Sequence, residues 1–388
     1  MNQGGIGMKT ALWLYFFLFV AFFDLHAQYP ILTPFAVSLG ATPSFIGLIM
    51  GMYSLTHLPG NLIAGYSVDR YGSRVFIVAS LLLAGCILLL QSHVTNPWQL
   101  LILRSVSGFV LAFLSPACMA LLARIGKNQI QQGKLMAGNG LVHTLASVIS
   151  PAAGALLVAQ IGFELAFNLL GWILIFTATS ALFFINDKSR DPLPIKNSGE
   201  KVTVNSPSSL SWIVFALPVA MSCSQGILFF ELPLMANSKN SIMTTGLLFS
   251  VVSLGALITL SMLFLNRYSP LIRTLTGTIV LALSFFALVV HLPAPLYIML
   301  LFVGMAKGII FPALSSLLIQ LSGGSRYGRT FSYLSIAFSI GAFLGPMLAG
   351  QLRDYFPPYL IAFIVLMIAA SILPFHHDRT RIVNSHSS

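Results

Sequence analysis

Charged residues are so sparse along this sequence that most of its length consists of long apolar runs separated by short polar segments. Hydrophobic residues make up 57% of the 388 residues and charged residues only 7%, against about 25% charged in an ordinary soluble domain. A run of roughly 20 apolar residues matches one helix through a hydrocarbon core about 30 Å thick. Because backbone groups in lipid must be hydrogen-bonded within the segment, the sequence predicts an all-α membrane protein.

Twelve apolar segments are long enough to be predicted as transmembrane helices, and we number them spans one to twelve. A polar stretch rich in Pro and Ser, 187–209, separates six spans from six and predicts a flexible linker. The sequence thus predicts an N-terminal six-helix bundle (1–186), the linker, a C-terminal six-helix bundle (210–375) and a tail (376–388). The spans are approximately 11–36, 44–66, 75–93, 100–123, 137–160, 165–186, 210–236, 243–265, 275–291, 296–320, 331–353 and 359–375.

The distribution of Lys and Arg predicts the orientation of these spans. With the N-terminus placed inside, the outer loops hold only Lys239 and Arg353, and Arg104 and Lys307 fall within spans. This imbalance is a strong positive-inside signal, so the linker and both termini are expected in the cytoplasm. It also explains the net charge of +11 without nucleic-acid binding. The sixteen inner residues are Lys9, Arg70, Arg74, Arg124, Lys127, Lys134, Lys188, Arg190, Lys196, Lys201, Arg267, Arg273, Arg326, Arg329, Arg379 and Arg381.

The two halves of the chain carry an internal repeat. "GFVLAFLSPACMALL" (108–122) aligns with "GMAKGIIFPALSSLL" (304–318) at an offset of 196, and includes Gly108 and Pro116. "GLIMGMYSL" aligns with "GLLFSVVSL" at an offset of 199. A near-constant offset predicts two pseudo-symmetric bundles related by a parallel repeat, an arrangement known in transporters whose site lies between the halves.

The loop between spans two and three carries the most specific motif. "GYSVDRYGSR" (65–74) resembles motif A of the major facilitator superfamily at Gly65, Asp69, Arg70, Gly72 and Arg74, with Ser73 where a basic residue is usual. Gly65 is expected to allow close helix approach, and Gly72 a backbone conformation with positive φ. The resemblance implies the fold of that superfamily, in which this loop latches the two halves on the cytoplasmic side.

Further motifs are similar to those of the twelve-span drug:proton antiporters within the superfamily. "LRSVSGFV" resembles their span-four motif at Arg104 and Gly108. "SVISPAAGA" resembles the span-five exporter motif at Pro151 and Gly154, with Ser and Ala where glycines are usual, and span eleven has a fuller version, "GAFLGPMLAG". The predicted bends and close helix contacts of span eleven lie at Gly341, Gly345, Pro346 and Gly350.

Four ionisable residues lie inside spans that line the central cavity in this family: Asp24, Arg104, Glu231 and Lys307, in spans one, four, seven and ten. A charge at mid-bilayer costs about 3 kcal/mol, so such groups face a partner or a wet cavity. Lys307 is predicted near the midplane and Glu231 near the outer end of its span. At 1.5 Å per residue, Asp24 lies ~20 Å and Arg104 ~23 Å from the inner face, so the two could pair.

We hypothesise that Asp24 is the proton-coupling acid, which binds and releases a proton as the cavity opens to alternate sides. The alternative is a purely structural ion pair between Asp24 and Arg104. Gln28, four residues on, shares the helix face of Asp24 and completes the predicted site, whereas His26 points to another face and is expected to pack against a neighbouring helix.

The resemblance and the buried charges favour a proton-coupled exporter of small amphipathic molecules, acting as a monomer. Two alternatives stay open: an uptake symporter or facilitator for a polar or anionic metabolite, and a membrane sensor without flux. An enzyme is not expected, because no nucleophile–base pair and no metal-spaced His cluster occurs, and no cofactor is predicted. The expected partners are a small-molecule substrate, protons and the lipid bilayer, and the expected location is a bacterial cytoplasmic membrane.

Overall fold

The computed structural model describes residues 3–126, 129–185, 212–234, 239–321 and 327–385, and every regular element in these ranges is helical. Two short 3-10 helices, Trp212–Phe215 and Leu263–Arg267, accompany the α-helices. The α-helices are α1 Gln3–Ser38, α2 Pro43–Tyr71, α3 Ser73–Ser92, α4 Pro97–Leu111, α5 Leu114–Ile125, α6 Gln129–Phe184, α7 Ala216–Leu234, α8 Lys239–Ser261, α9 Pro270–Val289, α10 Leu296–Leu321, α11 Tyr327–Leu352 and α12 Pro358–Ser385.

Helices and predicted spans differ in two places. Span four is split into α4 and α5 at Ala112–Phe113, because Pro116 has no N–H to donate to the carbonyl four residues earlier and its ring crowds that carbonyl. Spans five and six are joined in α6, interrupted only at Gly162, whose φ of 81° is a conformation that favours glycine. The predicted linker 187–209 lies outside the described residues, and α12 continues into the predicted tail.

Most helices have the length and composition of membrane spans. In the described part of the chain, nine helical stretches are at least 18 residues long and apolar enough to cross a bilayer. One of them, Gln131–Phe184, has 54 residues, enough for two crossings at 1.5 Å per residue. The helix α2 is long enough but contains too many polar residues to be counted with these nine, and the apolar part of α12, Pro358–Ile372, is too short. The protein is therefore a multi-pass membrane protein, and twelve crossings remain the prediction.

Local sequence fixes where several helices begin. Asn96 precedes α4, and its side-chain oxygen accepts a hydrogen bond from the Trp98 backbone N–H at 2.8 Å, with Pro97 in the first helical position. Ser269 and Pro270 start α9 in the same way. Such caps satisfy N–H groups that have no partner within the helix.

The helices form two compact units. Unit 1 comprises Met1–Ala41, Met52–Val202 and Ala236–Leu247, and unit 2 comprises Thr42–Gly51, Thr203–Met235 and Leu248–Ser388. Each unit thus includes a short piece from the opposite half of the sequence: the first part of α2 belongs to unit 2, and the first part of α8 to unit 1. The predicted division of the chain at 187–209 stays a prediction.

Close helix crossings within the units follow the sequence repeat. In unit 1, Gly108 of α4 lies against the backbone carbonyl of Tyr53 in α2, and in unit 2 Gly304 of α10 lies against the carbonyl of Val252 in α8. A Cβ at either glycine would collide with that carbonyl. These pairs correspond at the offsets of 196 and 199, so the α2–α4 crossing has its counterpart in the α8–α10 crossing.

A second pair of crossings joins the exchanged pieces to their units. Gly246 of α8 lies against the carbonyl of Pro151 in unit 1, and Gly47 of α2 lies against the carbonyl of Pro346 in unit 2. Gly47 and Gly246 correspond at the offset of 199. Both α6 and α11 continue as helices through these prolines. A residue with a Cβ at Gly47 or Gly246 would collide with these carbonyls, so the close approach requires glycine on the facing helix.

Candidate functional site

Three buried polar side chains form a hydrogen-bonded cluster in unit 1. Gln28 Nε2 donates to Asp24 Oδ1 at 2.9 Å, and Arg104 Nη1 donates to Gln28 Oε1 at 2.7 Å. The side chains are almost inaccessible, with exposed fractions of 3% for Asp24, 3% for Gln28 and 4% for Arg104. Asp24 and Gln28 are one helical turn apart on α1, which places both on the face toward Arg104 of α4.

The carboxylate and the guanidinium of this cluster do not touch. In the described part of the chain Arg104 forms no ion pair with Asp24, because the Gln28 amide lies between them and contacts both. The predicted direct pairing is thus replaced by a relay through Gln28. The amide can satisfy both charges because it has a donor end for the carboxylate and an acceptor end for the guanidinium.

Tyr53 covers the other side of Arg104. Its ring centroid lies 4.6 Å from the Arg104 Cζ, a cation–π contact that gains strength when water is excluded. Nε of Arg104 has no hydrogen-bond partner among the described residues. Tyr53 was not predicted from the sequence as part of this site. Its backbone carbonyl is the one that Gly108 of α4 packs against, so a close α2–α4 crossing brings its ring near Arg104.

His26 belongs to a different surface of α1. Its ring centroid lies 5.1 Å from that of His143 on α6 and 5.4 Å from that of Tyr29. It packs against a neighbouring helix, as its helical position relative to Asp24 predicts.

Lys307 of α10 is a half-buried cation in unit 2. Its Nζ lies 5.9 Å from the ring centroid of Phe229 on α7. Among the described residues, no carboxylate forms an ion pair with it. Lys307 is therefore a charge in a membrane helix whose protein contact is an aromatic ring.

Glu231 is held by a residue that sequence reasoning did not pair with it. Arg353, just after α11, donates from Nε to Glu231 Oε2 at 3.0 Å and from Nη2 to Oε1 at 3.2 Å. This two-bond geometry is the strongest that arginine and a carboxylate adopt, and it raises the pKa of Arg353, which lies outside the helices. The pair ties the end of α7 to the end of α11, so Glu231 has a structural partner rather than a free carboxylate.

The motif between spans two and three is more helical than predicted. Asp69 and Arg70 lie in the last turn of α2, and the connection to α3 consists of Gly72 alone, with φ 91°. Positive φ at Gly72 agrees with its predicted role. Arg70 Nη1 donates to the Tyr66 hydroxyl at 3.2 Å, and Arg74 donates to the carbonyl of Leu182.

Asp69 is exposed, and Gly65 departs from its predicted role. A Cβ added at Gly65 would meet no atom within 4 Å. The expected close helix approach at this glycine is therefore wrong for this structure.

Glycines in the bend motifs do mediate close packing within the units. Gly154 of α6 lies against Ala27 of α1, while Gly341 and Gly345 of α11 lie against the carbonyls of Val219 and Cys223 in α7. The first contact is close to the polar cluster, since Ala27 precedes Gln28.

The whole chain can now be compared with known proteins. A family model described as Major Facilitator Superfamily matches residues 14–294 and, in a second match, residues 218–385. The chain belongs to the major facilitator superfamily. This confirms the family that motif A predicted, together with the all-α fold, and makes the protein a member of a family of transporters rather than of enzymes.

Its similarity to individual superfamily proteins extends over most of the chain. It is 26% identical over 358 residues to the multidrug resistance protein MdtG of Escherichia coli, covering 88% of this chain and 86% of MdtG. A crystal structure of a bacterial homologue of the human lysosomal transporter Spinster, inward-facing and unoccupied, superimposes with a TM-score of 0.76 at 15% identity, covering 95% of this chain and 96% of that one. The occupied form of that homologue gives 0.74 at 16% identity. At such identities these structures support the fold alone.

Proposed function

We propose that this protein exports small amphipathic compounds in exchange for protons by alternating access, with both termini in the cytoplasm of a bacterial cell. The observation that carries the proposal is the buried Asp24–Gln28–Arg104 cluster. The name of the relative MdtG, a multidrug resistance protein, is consistent with export, and the excess of Lys and Arg on one side supports the orientation.

The cluster has the chemistry that a proton-coupling site requires. Ionised Asp24 is held by one amide hydrogen bond and by the positive field of Arg104, at a distance that leaves room for Gln28. A proton on Asp24 removes the negative charge and leaves Arg104 uncompensated in a dry environment, which is costly. The protonated and ionised forms therefore favour different arrangements of the helices α1 and α4, which is the coupling that proton-driven transport needs.

The test is proton-driven transport in everted membrane vesicles with a panel of fluorescent cationic, neutral and anionic compounds. Wild type is expected to accumulate compounds when the vesicle interior is acidified, and to lose this when the pH gradient is collapsed. Asp24→Asn should lose gradient-driven accumulation. Glu164→Gln is a matched control, since it also converts a carboxylate to an amide, but at a side chain that is 67% exposed. Gradient-driven accumulation by Asp24→Asn at the wild-type rate would remove Asp24 from the mechanism.

Uptake of an anionic metabolite is the second candidate function, and Lys307 together with Arg104 is the observation that favours it. Both are cations in membrane helices, and no carboxylate among the described side chains contacts either of them directly. Concentrative, proton-linked uptake of small anions into right-side-out vesicles, without export of any panel compound, would select this function over export.

A further inference from the structure

Lys307 lies on an aromatic surface formed within unit 2. Its Nζ faces Phe229, whose ring packs edge-on against Phe249 of α8 at 5.3 Å between centroids. One turn further along α10, on the same helix face, Phe311 stacks on Phe338 of α11 at 5.8 Å. One cation and four phenylalanines from four helices, α7, α8, α10 and α11, thus lie around one face of α10. We call this group the Lys307 surface.

Neither acidic side chain that the structure describes in unit 2 supplies a countercharge for Lys307. The acidic side chains that the structure describes in unit 2 are Glu231 and Asp354. Glu231 has both carboxylate oxygens on Arg353, and Asp354 is exposed beside it. A cation–π contact offsets part of the cost of a half-buried ammonium, but a full opposite charge compensates it far better where water is partly excluded.

We propose that the Lys307 surface recognises amphipathic organic anions: a carboxylate binds at the ammonium of Lys307, and an apolar or aromatic body packs on the accessible rings, with Phe249, 2% exposed, supporting Phe229 from behind. The proposal rests on the proposed transport function and names its substrate class. Lys307 also selects against cationic compounds, because a second cation beside an uncompensated ammonium is repelled. The aromatic rings contribute apolar area and ring stacking with little loss of side-chain freedom.

Binding of three probes with the same apolar body separates charge recognition from apolar partitioning. The probes are naphthoate, naphthylmethanol and naphthylmethyl-trimethylammonium, titrated by calorimetry onto purified protein in phosphatidylcholine nanodiscs. Wild type is expected to bind naphthoate most tightly. Lys307→Gln should weaken naphthoate binding about 10- to 100-fold, the loss of one charge-assisted contact, and leave naphthylmethanol unchanged. Lys307→Arg should retain most of the affinity for naphthoate, and Lys134→Gln, which removes an exposed cation of α6, should retain all of it.

Phe229→Leu should weaken the binding of naphthoate and naphthylmethanol alike, since it removes the ring nearest the ammonium but not the charge. An equal affinity of Lys307→Gln and wild type for naphthoate would overturn the proposal, provided that both elute as a single species of native helicity. Nanodiscs containing phosphatidylglycerol distinguish the sources of the anion. Competition by this lipid against naphthoate in wild type, but not in Lys307→Gln, would assign the surface to a lipid head group and overturn the substrate assignment.

The binding measurement needs no proton gradient and no transport. A failure of Asp24→Asn to alter transport would therefore remove the coupling proposal while leaving the Lys307 result standing. Conversely, unchanged naphthoate binding in Lys307→Gln would remove the substrate class and leave proton coupling untouched.

Discussion

Replacing Gln28 with leucine removes a side chain that hydrogen-bonds to both Asp24 and Arg104. Leucine is similar in size and suits a membrane helix, so the change leaves little cavity. It leaves Asp24 with no hydrogen bond among the described residues, and Arg104 with only the ring of Tyr53. The two charges then face each other across an apolar side chain, or must rearrange to make the direct ion pair that the native structure lacks.

The loss of folding free energy depends on whether the two hydrogen bonds stabilise the protein as bonds to charged groups do or only as neutral ones do. Bonds to charged groups contribute about 1.5–3 kcal/mol each, so the two bonds at 2.9 and 2.7 Å set an upper limit of about 6 kcal/mol. Side-chain hydrogen bonds between membrane helices average about 0.6 kcal/mol, which sets a lower limit near 1 kcal/mol. Because both hydrogen-bond partners of Gln28 are buried charges, we expect Gln28→Leu to lower the free energy of unfolding by about 2–4 kcal/mol.

The assay is reversible unfolding by dodecyl sulfate in mixed micelles, followed by circular dichroism. Gln91→Leu is the matched control, since Gln91 of α3 is also buried, at 1% exposure, but its Nε2 has no hydrogen-bond partner in the described part of the chain. That variant should change stability by less than about 1 kcal/mol. In an Asp24→Asn background the cost of Gln28→Leu should fall by about 1 kcal/mol. A cost for Gln28→Leu no larger than that of the control, with no coupling to Asp24, would refute the relay.

Two further sets of substitutions test interactions within unit 2 and within unit 1. Glu231→Gln and Arg353→Gln should each lower the free energy of unfolding by about 1–3 kcal/mol, and the double variant should lower it by less than the sum of the two. Additive losses in the same unfolding assay would show that the two side chains do not interact energetically. Gly246→Val places a side chain against the carbonyl of Pro151 and should lower the melting temperature and slow transport, whereas Gly140→Val, where a Cβ meets nothing within 4 Å, should do neither. Equal behaviour of the two glycine variants would contradict the close crossing.

Much of the scaffold is predictable because the bilayer restricts what a sequence can do. Helix is the structure that satisfies backbone groups within each apolar run, so run length gives the elements. Helical spacing likewise places Gln28 with Asp24 and His26 elsewhere. Asp24 and Arg104 are 80 positions apart in sequence, and counting residues from the two membrane faces was sufficient to predict similar depths for them.

The details that were not predicted depend on side-chain reach and on backbone chemistry. Depth along the membrane normal does not reveal whether Asp24 and Arg104 touch, since side-chain reach decides that, and here the Gln28 amide lies between them. Glu231 pairs with Arg353, 122 positions away, and the signal in the sequence was an isolated cation at the outer end of span eleven. The break at Ala112–Phe113 follows from Pro116, but the sequence alone does not predict it, because α11 continues as one helix through Pro346.

The chemistry of the protein does not follow the symmetry of its scaffold. The glycine crossings at Gly108 and Gly304, and at Gly47 and Gly246, keep the repeat. The buried charges break it: at the same offsets of 199 and 196, Asp24 corresponds to Cys223, Arg104 to Leu300, and Lys307 to Leu111.

Similar crossings in both units give the two halves a common framework, whereas we propose different tasks for the acid–amide–cation cluster of unit 1 and the aromatic-lined cation of unit 2. Under the two proposals, proton binding and anion recognition reside on separate helices. Single substitutions in one unit are therefore expected to remove one activity while the other persists, and a loss of naphthoate binding in Asp24→Asn equal to that in Lys307→Gln would contradict this division.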